Sequence, residues 1–233
     1  MHEYRLYTSI PTTRKSQVLN IFAGITASQP ADTTQQVLIY RQLKLNAAQA
    51  FKKGQVKPTG PIVSQQRPNH VKLVRDIAGP LGEGGGWRVR GEGLPDPAAK
   101  TVISQSVAET DLDEMGLAKF RPGSDSYGQV SQYASSGVRF VHQNVIVYMT
   151  RLYKTSTASD VDPLDALPPA LDNSMLLDSS GAWLVEVCVR VDDGGNSALR
   201  DKAVKELEGF KRELEGAVDL RVPDRLALDP RVK

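Results

Sequence analysis

Three histidines, His2, His70 and His142, are the first candidates for chemistry, and none lies three to five residues from another. A helix-borne metal pair, which needs two imidazoles on one face, is therefore absent. His142 falls in RFVHQN between two strand-like runs, where a turn or hydrogen-bonding role fits it better. The glycine-rich stretch from Gly79 to Gly93 invites a phosphate-loop reading. It lacks the Lys-Ser/Thr pair that reaches phosphate and metal, and it leads into a strand, so no helix N-terminus faces an anion. It reads as a flexible hairpin connection. Cys188 sits between Val187 and Val189 with no adjacent base to lower its pKa, and reads as a packed, inert thiol.

The acidic residues pose the harder question, because paired carboxylates inside a barrel could hold a divalent cation and cleave phosphate. That arrangement needs carboxylates at alternating positions of one strand. No strand supplies them: Glu186 shares its face with Cys188 and Arg190, and Glu92 shares its face with Arg90 and Arg88. Asp111, Asp113 and Glu114 form a short acidic segment of loop or turn character. A metal-dependent phosphohydrolase of the tunnel-barrel type is the alternative function. It would require acids gathered from different strands into a lumen lined also by Lys or Arg.

Lys and Arg number 29 against 27 Asp and Glu, a net charge of +2. The longest basic clusters are Arg14-Lys15 and Lys52-Lys53, too short for the basic stripe of a nucleic-acid binder, so no direct nucleic-acid contact is expected. One cysteine excludes an internal disulfide and a cysteine-based zinc site, and suits a reducing compartment. No run approaches the roughly 18 apolar residues of a membrane span. Met1 to Tyr7 lacks the pattern of a signal peptide. A soluble intracellular chain with no membrane contact is the expectation.

The elements follow from periodicity. His2 to Ser9 alternates as a half-buried strand ended by Pro11. Thr12 or Thr13 is the expected N-cap of a helix over about 14–27, with Val18, Leu19, Phe22 and Ile25 as its apolar stripe. Strands are expected at Gln35 to Leu43, at two places within 61–77 (the second His70 to Ile77), and at Trp87 to Glu92. In the last, Arg88, Arg90 and Glu92 make a mixed-sign charged face. Further strands fall at Val102 to Val107, Val138 to Val141, Val145 to Leu152 and Ala182 to Val191. A helix over about 196–214 starts at Asn196 and ends at Gly216, with Leu199, Ala203, Leu207, Phe210 and Leu214 as its stripe. Mobile loops are expected at about 44–60 and 155–175. Eight to ten strands with turn signals between them point to a mainly β, α+β chain: a single domain over 1–233 built as one multistranded antiparallel β-barrel or sandwich with flanking helices.

The two ends carry more specific information. MHEYRLYTSIP followed by QVLNIFAGITASQP resembles the opening of the fungal subunit 18 family of the Mediator complex. The segment SSGVRFVHQNVIVYMTRLY is similar to that family's Gly-x-Arg/Lys-Phe strand pair. So is the close, DSSGAWLVEVCVRVDDGGN with ELEGFKRELEGAVDLRVPDRLALDPRVK. Together these segments cover about two fifths of the chain.

The resemblance implies a flattened antiparallel barrel like the tunnel fold of RNA triphosphatases but without their Glu-x-Glu catalytic acids. It also implies a non-enzymatic subunit of the Mediator head module, in the nucleus, with no cofactor. Its partners would be Mediator subunit 20, the C-terminal helix of subunit 8 and other head-module subunits, with the RNA polymerase II machinery met indirectly, and the chain would act as a transcription coregulator of RNA polymerase II. The tail from Pro223 to Lys233 is the expected partner interface, through Leu226 and Leu228 interleaved with Arg225 and Arg231. Phe140, Val145, Val147 and Tyr148 are expected in the sheet, most of them in its core.

Overall fold

The computed structural model describes residues 1–43, 70–78, 83–155 and 161–229. Nine strands are found among them: β1 (His2–Ile10), β2 (Ala31–Gln42), β3 (His70–Ala78), β4 (Glu83–Gly84), β5 (Arg88–Glu92), β6 (Ile103–Asp111), β7 (Tyr127–His142), β8 (Val145–Lys154) and β9 (Trp183–Val191). Helix α1 spans Lys15–Thr26, a short α2 spans Glu114–Leu117, and α3 spans Ser197–Glu213.

Eight of the strands close on themselves. The order β2-β7-β8-β9-β1-β6-β5-β3 returns to its start because β3 pairs with β2, Leu73 opposite Leu38. Every one of these pairings is antiparallel, and the two-residue β4 is an extra rung on β3. Closure removes the open sheet edges that otherwise invite pairing with other chains.

The period of two along each strand then sorts side chains between the tunnel and the outside. Here the outside is the apolar side. Tyr4 and Leu6 of β1, Phe140 of β7, Val145, Val147 and Met149 of β8, and Val185, Val187 and Val189 of β9 form one core on the outer wall. Helix α1 covers it with Val18 and Phe22, and α3 with Ala203, Leu207 and Phe210, joined by Leu214 just past its end. Tyr148 alternates away from its neighbours and faces the tunnel. Leu199, expected on the α3 stripe, is instead 41% exposed. Gly137 lets β7 and β8 approach closely: a Cβ there would overlap the Met149 carbonyl oxygen.

A second core lies on a different part of the outer wall, where Leu38, Tyr40, Leu73 and Trp87 are covered by Phe120 and Leu164. Phe120 meets Tyr40 edge-on at 5.1 Å and stacks on Tyr127 at 4.4 Å. Leu164, at 2% exposed, packs into this core from within the stretch expected as a loop at about 155–175. Its carbonyl accepts from Trp87 Nε1 at 3.1 Å, and Ala166's accepts from Arg75 at 2.5 Å. Arg121 ties the same segment down through Asp162 and Asp165, at 2.7 and 2.9 Å. One buried leucine among prolines and acids leaves no periodic signal, so composition alone reads as loop.

The α1 N-cap also differs from expectation. Neither Thr12 nor Thr13 caps α1; a 3-10 turn, Thr12–Arg14, precedes the helix, and its Arg14 cap residue makes no side-chain cap bond. The Thr12 hydroxyl instead donates to the Gly181 carbonyl at 2.7 Å and accepts from Arg151 at 2.7 Å. Lys15 and Arg151 both stand over the Trp183 ring, at 4.4 and 4.5 Å, so cation-π contact fixes the helix start in place of a cap. Asn196 caps α3 as expected, accepting from the amides of Ala198 and Leu199.

The expected loop at 44–60 and the first of the two strands within 61–77 lie outside the described residues.

Candidate functional site

The tunnel encloses about 1210 Å³ and is lined mainly by polar side chains from all eight barrel strands. Its centre is one ion-pair network. Glu3 of β1 takes Arg5 at 2.6 Å, Arg90 at 2.5 Å and Arg190 at 3.0 Å. Glu92 takes Lys72 at 2.8 Å and Arg90 at 2.9 Å. Glu109 takes Arg90 at 3.3 Å and Arg88 at 3.4 Å, and Arg88 continues to Asp76 at 2.6 Å. Glu186 stands 3.8 Å from Arg5. The alternating charged face expected over Arg88, Arg90 and Glu92 is real, but it is the barrel's interior and not a solvated surface.

Two features make this network structural. Arg90 is ringed by three carboxylates, so its guanidinium occupies the point on which Glu3, Glu92 and Glu109 converge. A cation is thus covalently built into the acid cluster, and no group of His, Cys, Asp or Glu suited to holding a metal ion occurs among the described residues. The five acids named each have a basic neighbour. The acids that β1, β3, β5, β6 and β9 bring to this network are thus paired with arginine or lysine, Glu186 the most loosely.

Burial and pairing act oppositely on these groups. Desolvation raises Glu92, but Lys72, Arg5 and Arg90 outweigh it and hold the carboxyl down at about 2. In Glu3 the same contest, with hydrogen bonding to Arg90 and the charges of Arg5, Arg90 and Arg190 against burial, also ends below the ordinary value. Glu186 goes the other way: burial raises it, and Arg5 at the longer distance only partly offsets this. Burial also pushes the Cys188 thiol up to about 12, so the inert-thiol expectation has a physical cause.

The signs give a pH dependence. Glu92 has a folded pKa below its ordinary 4.5, so its stabilisation is complete above pH 4.5 and is lost as pH falls towards 2. Glu186 contributes in the opposite sense, favouring the fold at low pH and losing that contribution as pH rises through its raised pKa. With its side chain only 12% exposed, Glu92 is expected to supply up to about 3 kcal/mol of the wild type's stability loss between pH 6 and pH 2. Urea midpoints across that range should fall less steeply in Glu92→Gln. Parallel profiles for the two proteins would refute this assignment.

The expected interface residues lie apart from the network centre, on the tail. Leu226 is 64% exposed and Leu228 is half-buried. Arg225 is engaged within the chain, donating to the carbonyls of Pro97 at 2.8 Å and of Ala99. Arg231 lies outside the described residues. His142 ends β7 with its ring 6.0 Å from that of Phe210.

Sequence reasoning passed over Glu3, Arg5, Glu186 and Arg190 as partners, because no two acids alternate on one strand. A signal was nonetheless present. β1 and β9, two of the clearest strands, each carry charge on the face opposite their apolar residues, and such charges can be satisfied only by each other if that face is enclosed.

A closed antiparallel barrel with its apolar surfaces outside under helices, and with its interior acids paired to built-in cations, defines a β-barrel with a polar, charge-paired tunnel. The chain is similar throughout to one such group: the family model described as Med18 protein matches residues 2–231. The chain belongs to the Mediator subunit 18 family. Curated relatives named Mediator of RNA polymerase II transcription subunit 18 include that of Coccidioides immitis, 26% identical with the whole of both chains covered. That of Yarrowia lipolytica is 30% identical over 147 residues, which is 63% of this chain and 58% of the relative. A chain in the structure of the Schizosaccharomyces pombe Mediator head module shares the fold, with a TM-score of 0.66 and 18% identity, over 96% of this chain and 99% of that one. Membership makes this chain a non-enzymatic component of a transcription coregulator.

Proposed function

We propose that this chain is a nuclear subunit of the Mediator head module. It pairs with Mediator subunit 20, receives the C-terminal helix of subunit 8, and takes part in regulating transcription by RNA polymerase II. The observation that carries this reading is the family match over residues 2–231, which leaves almost none of the chain for a separate activity.

The geometry supports a role by contact. The barrel is closed, so its outer surface, its helices and its tail are the places where partners can meet it. The tail presents Leu226 at 64% exposed, with Leu228 and Arg225 beside it and Arg231 following in sequence. An exposed leucine next to an arginine fits an apolar anchor with a charge-assisted contact beside it.

Co-expression with subunit 20 from the same organism, followed by size-exclusion chromatography with light scattering, tests the pairing. A one-to-one complex is expected, and Leu226→Asp is expected to weaken it at least tenfold. A chain that stays monomeric with subunit 20 present would overturn the pairing. An unchanged complex with Leu226→Asp would remove the tail from the interface.

A further inference from the structure

β1 loses its neighbour part-way along. β6 pairs with it only from His2 to Arg5. Beyond that point the same edge is met by the segment following α3: the Tyr7 amide donates to the Arg221 carbonyl at 2.9 Å, and the Arg221 amide returns a bond to the Tyr7 carbonyl at 2.8 Å. Val218 and Leu220, at 2% and 0% exposed, anchor the beginning of this segment in the outer core.

After Leu220 the anchoring changes in kind. Asp224 caps a 3-10 turn over Arg225–Leu228, and Ala227, Leu228 and Asp229 line the tunnel. No residue from Arg221 to Asp229 is fully buried. Two polar clasps hold this stretch to the loop before β6 and to β6 itself. Arg225 donates to the carbonyls of Pro97 and Ala99. Gln105 Nε2 donates to Gly93 at 2.8 Å and to Leu228 at 3.2 Å.

We propose that residues 221–229 form a strap that seals the seam between β1 and β6, walls one side of the tunnel, and opens as a unit while the barrel stays folded. Its hold is a few polar contacts and the partly buried Val222 at the margin of the outer core, whereas β8 and β9 are held by long ladders and by fully buried core residues. Segments of that first kind open locally at a fraction of the global free energy. Opening exposes the edge of β1 at Tyr7 and gives solvent a side entrance to the charged interior. The inference rests on intramolecular contacts and stands whether or not the tail meets a partner.

Native-state hydrogen exchange on the full chain, with increasing urea, tests it. The Tyr7 and Arg221 amides are expected to exchange through an opening with a smaller urea dependence than that of Val147 and Val187. Arg225→Ala removes one clasp and is expected to speed exchange at Tyr7 and Arg221 on the order of tenfold to a hundredfold. Val147 and Val187 should remain at their wild-type rates. The proposal is overturned if Tyr7 and Arg221 share the urea dependence of Val147 and Val187 in the wild type. It is equally overturned if Arg225→Ala leaves them unchanged, or moves all four amides by one factor. The wild-type measurement decides the matter even if the variant fails to fold.

Discussion

Replacing Arg90 with alanine is expected to destabilise the chain by about 3–5 kcal/mol, since removing one partner of a buried ion pair leaves uncompensated charge behind. The Arg90 side chain is 13% exposed and holds Glu3, Glu92 and Glu109 at 2.5, 2.9 and 3.3 Å. Without it, three carboxylates face one another across a vacancy. Glu3 keeps Arg5 and Arg190, and Glu92 keeps Lys72 and Arg5, but among the described residues Glu109 keeps only Arg88, at 3.4 Å. Urea unfolding at pH 7 measures the loss. Because the network is enclosed, the loss should persist in high salt, where an exposed pair would be screened. A cost below about 1 kcal/mol would place Arg90 with ordinary surface arginines and remove the argument that it serves as the cluster's internal cation. Combining Arg90→Ala with Glu109→Gln should recover part of the loss, by roughly 0.5–3 kcal/mol of coupling.

Phe22→Ala should cost a similar amount, about 3–5 kcal/mol, by a different route. Phe22 is fully buried and its ring lies 5.8 Å from that of Phe140, joining α1 to the outer wall of β7. Truncation removes apolar contact and leaves a void that α1, tied at its start by Lys15 and Trp183, cannot readily collapse. Asn20→Ala, on the exposed face of the same helix, should stay within about 0.5 kcal/mol. Unlike the Arg90 loss, the Phe22 loss should carry no pH dependence between pH 4 and 7, because no titrating group is removed. Equal midpoints for Phe22→Ala and the wild type would mean that α1 contributes little to the folded state.

The sequence revealed the elements whose buried faces are apolar. β1, β8, β9 and α3 show their period plainly because the outer core demands Leu, Val, Ile and Phe at every second or every third to fourth position. β7 shows the limit. It begins at Tyr127, eleven residues before the expected Val138, because its early part places Ser131, Tyr133 and Ser135 towards a polar tunnel. With the enclosed face polar, alternation of hydrophobicity fades although the alternation of direction continues.

The same cause hid the ion-pair network. Glu3 and Arg190 are nearly two hundred residues apart, and only the pairing of β1 with β9 sets them opposite each other. The charged face of β5 was legible, but not the fact that it is enclosed. Barrel closure depends on the β2–β3 rungs, which no local pattern announces. Tail residues Leu226 and Arg225 were legible as an exposed apolar and basic alternation. The intramolecular engagement of Arg225 with Pro97 and Ala99 was not, since it spans more than 120 residues.

Closure also restricts how the length of the chain can vary. In an open sheet, a residue gained in one strand can be absorbed by sliding that strand against a single neighbour. Here each strand has two, so an insertion in the middle of β8 would turn Val147 towards the tunnel and Tyr148 towards the helices, and break register with both β7 and β9. One place already carries such an extra residue: the register of β2 against β7 shifts between Ile39 and Tyr40, next to the exposed Val130. Heritable changes of length should therefore collect in the connections and at that bulge, while the eight strands keep a constant count of residues even as their sequences drift.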